Sequence, residues 1–187
     1  MSDLLYFEDL SVGARWKSRT HVVTADDVSR FAQLTGDRSP LHLDEEYART
    51  SPFGRPIAHG LLGLSFVAGL SSDCPRLDTV AFLGVSGWRF LRPVYYGDQV
   101  HVISEVLQLE SNGRKRGRVN WMRQLINQQG SVVQEGYFET LVARRMLVRA
   151  LTKERTLVEA SREEPLGAPR RLSARELQQA AALRQSE

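Results

Sequence analysis

Cysteine is almost absent from this sequence, which has one, Cys74, among 187 residues. A single thiol excludes an internal disulfide framework and a zinc site built from several thiolates. No histidine lies near Cys74 along the chain, so we do not expect a cysteine nucleophile. The sequence predicts no metal site, because close ligand spacing is also missing among its four histidines, His21, His42, His59 and His101.

Long apolar runs are missing as well. The longest, LLGLSFVAGL at residues 61–70, is about half the length that a membrane-spanning helix needs. The first residues, MSDLLYFEDL, are acidic and lack the basic-then-apolar order of a secretory signal. We therefore expect a cytoplasmic protein that has no contact with a membrane.

No large excess of charge of either sign is present. The chain has 25 Lys and Arg against 22 Asp and Glu, a formal net charge of +3. That charge is too small to favour nucleic acid as a partner, but it would not repel a polyanionic ligand. The densest basic cluster, GRKRGR at 113–118, is typical of a solvated turn. Attraction of phosphate groups is the alternative.

Residues 23–36 carry strong helix punctuation. Thr24 is a suitable N-cap and Asp27 completes an acidic capping box. Apolar residues then recur at helical spacing, and Gly36 can adopt the left-handed conformation that ends a helix. A second short helix is predicted from Asp44, and it ends near TSPFGRP at 50–56.

The segment IAHGLLGLSFVAGLSS, at 57–72, has no polar face and predicts a buried helix. Three glycines lie in this segment: Gly60, Gly63 and Gly69. Glycine weakens a helix unless another backbone must come close, so these residues indicate tight packing under a sheet.

From residue 79 the apolar pattern changes to a period of two. It predicts three or four long antiparallel strands, with a hairpin turn at Asn112-Gly113. We expect Trp88, Phe90 and Trp121 to lie in the core rather than in a ligand pocket. The fold class is therefore α+β, with one buried helix and an antiparallel sheet.

The predicted domain covers residues 1–149, and the remaining segment, 150–187, differs in composition. That segment is polar, is interrupted by Pro165 and Pro169, and becomes helix-prone from Ser173. We predict a C-terminal tail with a surface helix.

The stretch GDRSPLH, at 36–42, holds a carboxylate and an imidazole around a proline. Asp37 directly follows a helix C-terminus, where the helix dipole makes a carboxylate unfavourable by about 0.3–1 kcal/mol. A residue that breaks a local rule is a candidate functional residue, and Pro40 restricts the loop that leads to His42. An ordinary turn is the alternative, and the spacing alone leaves both open.

His59-Gly60 precedes the buried helix. The Gly60 N–H is one of the unpaired donors at a helix N-terminus and could hold an oxyanion. The alternative is that Gly60 merely begins the helix and His59 caps it.

Together these segments resemble a known family. RFAQLTGDRSPLHLDEEYARTSPFGRPIAHGLLGLSF, at 30–66, and FLRPVYYGDQV, at 90–100, are similar to the MaoC-like (R)-specific enoyl-CoA hydratases and dehydratases. The resemblance implies a hot-dog fold, in which an antiparallel sheet wraps a central helix, and a homodimer or higher homo-oligomer. It implies an acyl-CoA or acyl-carrier-protein thioester as substrate, and no metal or other cofactor.

The resemblance also implies roles for particular residues. Asp37 and His42 would activate one water, and Gly60 would bind the thioester oxygen with His59 and Ser39 beside the substrate. Ser39 stands where the family usually has asparagine, which puts substrate preference and rate in doubt. A hot-dog thioesterase and a non-catalytic acyl-binding subunit of a hetero-dimeric dehydratase are the alternatives.

Overall fold

The computed structural model describes residues 4–145. Six strands form one antiparallel sheet in the order β1-β4-β5-β6-β3, and β2 also pairs with β4. The strands are β1 Arg15–Lys17, β2 His21–Val22, β3 Thr79–Phe90, β4 Gln99–Asn112, β5 Arg116–Ile126 and β6 Val132–Ala143. A short 3₁₀ helix (Phe7–Asp9) precedes them, and the α-helices are α1 Ala25–Thr35, α2 Pro40–Leu43, α3 Glu45–Thr50 and α4 Gly60–Leu70.

The punctuation predicted for α1 is confirmed. The Thr24 hydroxyl accepts a hydrogen bond from the Asp27 N–H at 3.1 Å, and the Asp27 carboxylate accepts one from the Thr24 N–H at 2.8 Å. Gly36 ends the helix with a φ of 80°, a left-handed conformation in which glycine carries no Cβ penalty. The residue after it, Asp37, therefore leaves the helix in a fixed direction.

The segment between α1 and α3 is more regular than predicted. We expected a loop there, but Pro40–Leu43 forms one helical turn that carries His42. Proline suits the first helical position, because its φ is already helical and its missing N–H would have no partner. The predicted helix from Asp44 is confirmed as α3, with Asp44 as its N-cap.

The central helix, α4, packs against β4 and β5 with one face. Leu62, Gly63, Val67 and Leu70 are buried, whereas Leu61 is 60% exposed. The prediction of burial all round was therefore wrong, because the sheet covers only one side of the helix within residues 4–145.

Four long strands follow α4, as predicted. Trp121 is fully buried, but the prediction that Phe90 lies in the core is wrong, since it is 55% exposed. The cause is topological: among the described strands β3 lies at the edge of the sheet and pairs with β6 alone, so it is covered less than a central strand. Trp88 is partly buried and packs edge-on against Phe138.

The predicted tail, 150–187, lies outside the described residues, and its domain boundary stays a prediction. Within residues 4–145, no helix is both long enough and apolar enough to cross a membrane.

Candidate active site

Three side chains meet where the end of α1, the single turn of α2 and the start of α4 come together. One nitrogen or oxygen atom from each of Asp37, His42 and His59 lies within 4.8 Å of those of the other two. The imidazole centroids of His42 and His59 are 3.9 Å apart. The structure thus brings together both residues of the predicted acid/base pair.

Two contacts hold His42 in place. Its Nδ1 lies 2.8 Å from the Ile57 carbonyl oxygen, which can only accept a hydrogen bond. The Nδ1 atom therefore carries the proton, and Nε2 keeps a free lone pair that can bind a water proton. The Tyr96 hydroxyl donates to the His42 backbone carbonyl and secures the α2 turn. Sequence reasoning missed Tyr96, because its contact with residue 42 is not local.

His59 connects the Asp37 segment to α4. It is 2% exposed, and its Nε2 donates a hydrogen bond to the Asp37 backbone carbonyl at 2.9 Å. Its ring packs near the rings of Phe31 and His42. Burial lowers the pKa of His59 and the nearby His42 lowers it further, against the raising effect of the hydrogen bond to Asp37. The predicted substrate contact by His59 remains a prediction, whereas its positioning role follows from these bonds.

Acidification is expected to destabilise the fold through His59. Because the folded-state pKa of His59 lies below its usual value of 6.5, the unfolded chain binds more protons between those two values. The contribution of His59 to stability is complete above pH 6.5 and is lost as the pH falls through that window. Urea unfolding measured across this range should show it. A His59→Gln variant should depend less steeply on pH, and an unchanged dependence would contradict the assignment.

Asp37 is partly open to solvent, with 54% of its side chain exposed. Its Oδ1 accepts a hydrogen bond from the Ser39 N–H at 3.3 Å, and its own N–H donates to Thr35 Oγ1 at 3.3 Å. The Ser39 side chain makes no capping bond to α2. The structure therefore places Ser39 beside Asp37 through its backbone, and the predicted contact of its hydroxyl with substrate stays a prediction.

Gly60 begins α4, so the helix offers no acceptor for its N–H. A Cβ atom at this position would lie 2.8 Å from Phe90 Cε1, and only glycine fits without displacing the ring. The Gly60 carbonyl accepts a hydrogen bond from Gln134 Nε2 at 3.2 Å. Gly60 therefore packs against Phe90 and bonds to Gln134, and within residues 4–145 its N–H has no hydrogen-bond acceptor.

Gln134 was missed by sequence reasoning. It lies on β6 and is 2% exposed. Gly63 makes room for it, because a Cβ there would lie 2.2 Å from Gln134 Nε2. Gly63, a glycine in the middle of a helix, was the sequence signal for a close neighbour. It was interpreted as the approach of another backbone, whereas the neighbour is the Gln134 side chain.

A cavity of about 300 Å³ joins these elements. His42 and Gly60 line it together with Ile57, Phe90 and Gln134. The walls are largely apolar, while His42 and the start of α4 bring polar groups to one side. Such a cavity suits a short hydrocarbon chain that ends in a polar reactive group.

The spacing of Asp37 and His42 suits a single water molecule. A water that makes two hydrogen bonds of about 2.8 Å at a tetrahedral angle spans roughly 4.5 Å. A nitrogen of His42 and a carboxylate oxygen of Asp37 lie at most 4.8 Å apart, so one water is small enough to contact both side chains. The arrangement can therefore hold one water between the Asp37 carboxyl group and the His42 imidazole.

Comparisons with known proteins agree with this architecture. A MaoC-like domain profile matches residues 11–128. A protein from Methylorubrum extorquens named 3-hydroxybutyryl-CoA dehydratase is 41% identical over 119 residues, which span 62% of this chain and 72% of that protein.

Solved structures give the same result. An R-hydratase from Pseudomonas aeruginosa superposes with a TM-score of 0.65 at 33% identity, covering 73% of this chain and 84% of that one. A Mycobacterium tuberculosis protein described as a double hot-dog fold has a TM-score of 0.67 at 23% identity, covering 75% and 44%. The α+β prediction and its hot-dog form are confirmed, and this chain belongs to the MaoC-like family.

Proposed function

We propose that this chain adds water reversibly to a trans-2-enoyl thioester and gives a 3-hydroxyacyl thioester. The observation that carries the proposal is the placement of Asp37 within 4.8 Å of His42, which lines the same cavity as Gly60. The Methylorubrum relative named as a dehydratase and the Pseudomonas R-hydratase support it.

In hydration, Asp37 and His42 hold the water, and its oxygen adds to C3 of the enoyl group. His42 Nε2 takes a proton from the water and the dyad delivers one proton to C2. Negative charge develops on the thioester oxygen, where the Gly60 N–H and the N-terminus of α4 stabilise it. In dehydration the same groups remove the C2 proton and protonate the departing hydroxyl.

Coenzyme A is the carrier that the surroundings favour. Arg92 lines the apolar cavity and also a neighbouring polar cavity of about 430 Å³, which Arg55 and Tyr95 line as well. Two guanidinium groups beside the site can contact phosphate groups. An acyl carrier protein as the carrier is the alternative, and the cytoplasmic location expected from the sequence remains a prediction.

Crotonyl-CoA tests the proposed reaction. The purified chain should remove the enoyl absorbance of crotonyl-CoA without releasing a free thiol. Thiol release would favour the thioesterase alternative. Because hydration is reversible, 3-hydroxybutyryl-CoA should regenerate the same absorbance.

We propose that the reaction needs no metal ion. Asp37, His42 and His59 could serve as ligands. The proposed steps nevertheless use only Asp37, His42 and the Gly60 N–H, and none of them requires a Lewis acid. Dialysis against EDTA should leave kcat/KM unchanged, and restoration of lost activity by a divalent ion would contradict this.

We propose that β3 pairs with a second copy of the chain. It is an edge strand that exposes apolar side chains, including Leu83 (43%) and Val85 (37%). Natural proteins avoid exposed apolar edge strands unless another chain or element covers them.

Lysines at this edge should break the assembly. Light scattering should give a dimer mass, or a multiple of it, for the wild-type chain and a lower mass for Leu83→Lys/Val85→Lys. Val12→Lys, which changes another exposed apolar residue (64%), should leave the mass unchanged. A monomeric wild-type chain at micromolar concentration would refute the pairing.

A further inference from the structure

A second cavity lies at the end of α4 that is remote from Gly60. It has a volume of about 560 Å³, and Ala68, Ser71, Arg123 and Thr140 are among the residues that line it. The two ends of the 11-residue helix are about 15 Å apart at 1.5 Å per residue. The cavity is therefore distinct from the one that contains His42.

Arg123 is the unusual group in this cavity, because it is buried without an ionic partner. It is 7% exposed, and its guanidinium lies 4.6 Å from the ring centroid of Phe138. Among residues 4–145, no carboxylate oxygen lies within 4.0 Å of it and its buried Nε has no acceptor. Burial lowers its pKa to about 10, so the group remains charged at neutral pH. A buried, unpaired charge destabilises a fold unless something compensates it.

The carbonyls at the end of α4 bond to nearby serines rather than to Arg123. The Ser71 hydroxyl donates to the Val67 carbonyl at 2.6 Å, and the Ser72 hydroxyl donates to the Gly69 carbonyl at 2.7 Å. Each oxygen could accept a second hydrogen bond, but within residues 4–145 the Arg123 side chain bonds to neither of them.

Thr140 supplies a second donor. Its Oγ1 accepts a hydrogen bond from Trp121 Nε1 at 3.0 Å, which leaves the hydroxyl proton free for another acceptor. Two acidic residues also line the cavity: Asp73, which is exposed, and Asp78, which is half-buried. Arg123 and Thr140 are more deeply buried than either, and they present a positive charge and a hydroxyl donor.

We propose that this cavity binds a carboxylate group, which the guanidinium of Arg123 and the hydroxyl of Thr140 hold. A carboxylate matches the planar, two-pronged geometry of a guanidinium. Two sources share this chemistry: a free dicarboxylic acid, and the far end of a long acyl chain whose thioester lies at Gly60. The second source rests on the proposed function, and the distance along α4 restricts it to long chains.

Calorimetric titration of the full chain with glutarate and with dodecanedioate tests the proposal. The wild-type chain should bind at least one of them, and Arg123→Met should bind it at least about 30-fold more weakly, as expected when one partner of a buried charge pair is removed. Arg19→Met, which removes an exposed arginine, should bind as the wild type does. Arg123→Met should melt at the same temperature or higher without ligand, because an apolar side chain replaces a buried charge.

If Arg123→Met does not fold, Arg123→Lys serves instead. It keeps the positive charge but loses the planar, two-pronged donor geometry of the guanidinium, so it should also bind the dicarboxylic acid more weakly than the wild type does. Failure of both diacids to bind the wild-type chain, or equal binding by the Arg123 variant, would overturn the proposal. Neither readout needs turnover, so this result is independent of the hydratase proposal.

Kinetics identify the source of the carboxylate. If it is the end of the substrate, Arg123→Met lowers kcat/KM for a long enoyl-CoA with a terminal carboxylate but not for its uncharged analogue. If both rates are unchanged while glutarate binding is lost, the ligand is a free acid.

Discussion

Asp37→Asn and His42→Ala are each expected to lower kcat for crotonyl-CoA hydration by about 10²–10⁴-fold, the usual contribution of a positioned acid or base. Asparagine can still accept the Ser39 N–H bond, but it cannot exchange a proton with the water. Alanine at 42 removes the Nε2 lone pair that the bond to the Ile57 carbonyl keeps free. Initial rates at saturating substrate measure both effects.

Thermal unfolding provides the control for these variants. Asp37→Asn should be as stable as the wild type or slightly more so, because it removes a carboxylate from the negative end of α1. A folded Asp37→Asn protein with wild-type kcat would refute the role of the carboxylate. Arg38→Gln, at the neighbouring exposed position, should retain its rate.

Gly63→Leu is expected to destabilise the fold by about 3 kcal/mol, the upper part of the usual range for overpacking. The new side chain would occupy the space of the Gln134 amide, which lies 2.2 Å from the position of a Cβ at residue 63. Activity should fall as well, since displaced Gln134 can no longer bond to the Gly60 carbonyl. Urea unfolding and the crotonyl-CoA assay measure the two effects.

A second substitution separates this contact from general damage to α4. Gln134→Ala removes the side chain that the introduced leucine would meet, so the double variant should regain most of the lost stability. The two substitutions should therefore couple by about 1–3 kcal/mol, as contacting residues do. Additive effects would show that Gly63 is required for another reason.

Local signals account for the part of the site that could be predicted. The capping of α1 depends on Thr24, Asp27 and Gly36, which are close in sequence, so Asp37 could be placed just beyond a helix end. The resemblance then linked Asp37 and His42 with Gly60. The structure places these residues close together, as the resemblance implies. One contact that joins their segments is the hydrogen bond from the His59 imidazole to the Asp37 carbonyl, 22 positions away in the sequence.

The remaining features depend on contacts between distant segments. An alternating pattern does not reveal whether a strand lies at the centre or the edge of a sheet, so the exposure of Phe90 could not be predicted from it. Gln134 and Tyr96 reach the site from distant parts of the chain and carry no local signal of their own. The single turn of α2 is shorter than a periodic pattern can indicate.

Hydration of crotonyl-CoA in ¹⁸O-labelled water tests the central claim most directly, because it follows the oxygen that Asp37 and His42 are proposed to hold. Mass spectrometry of the products should show an intact coenzyme A thioester that carries the label in a hydroxyl group at C3. The Asp37→Asn protein should form this product far more slowly. Label in the carboxyl group of free crotonic acid, with release of coenzyme A, would contradict the account.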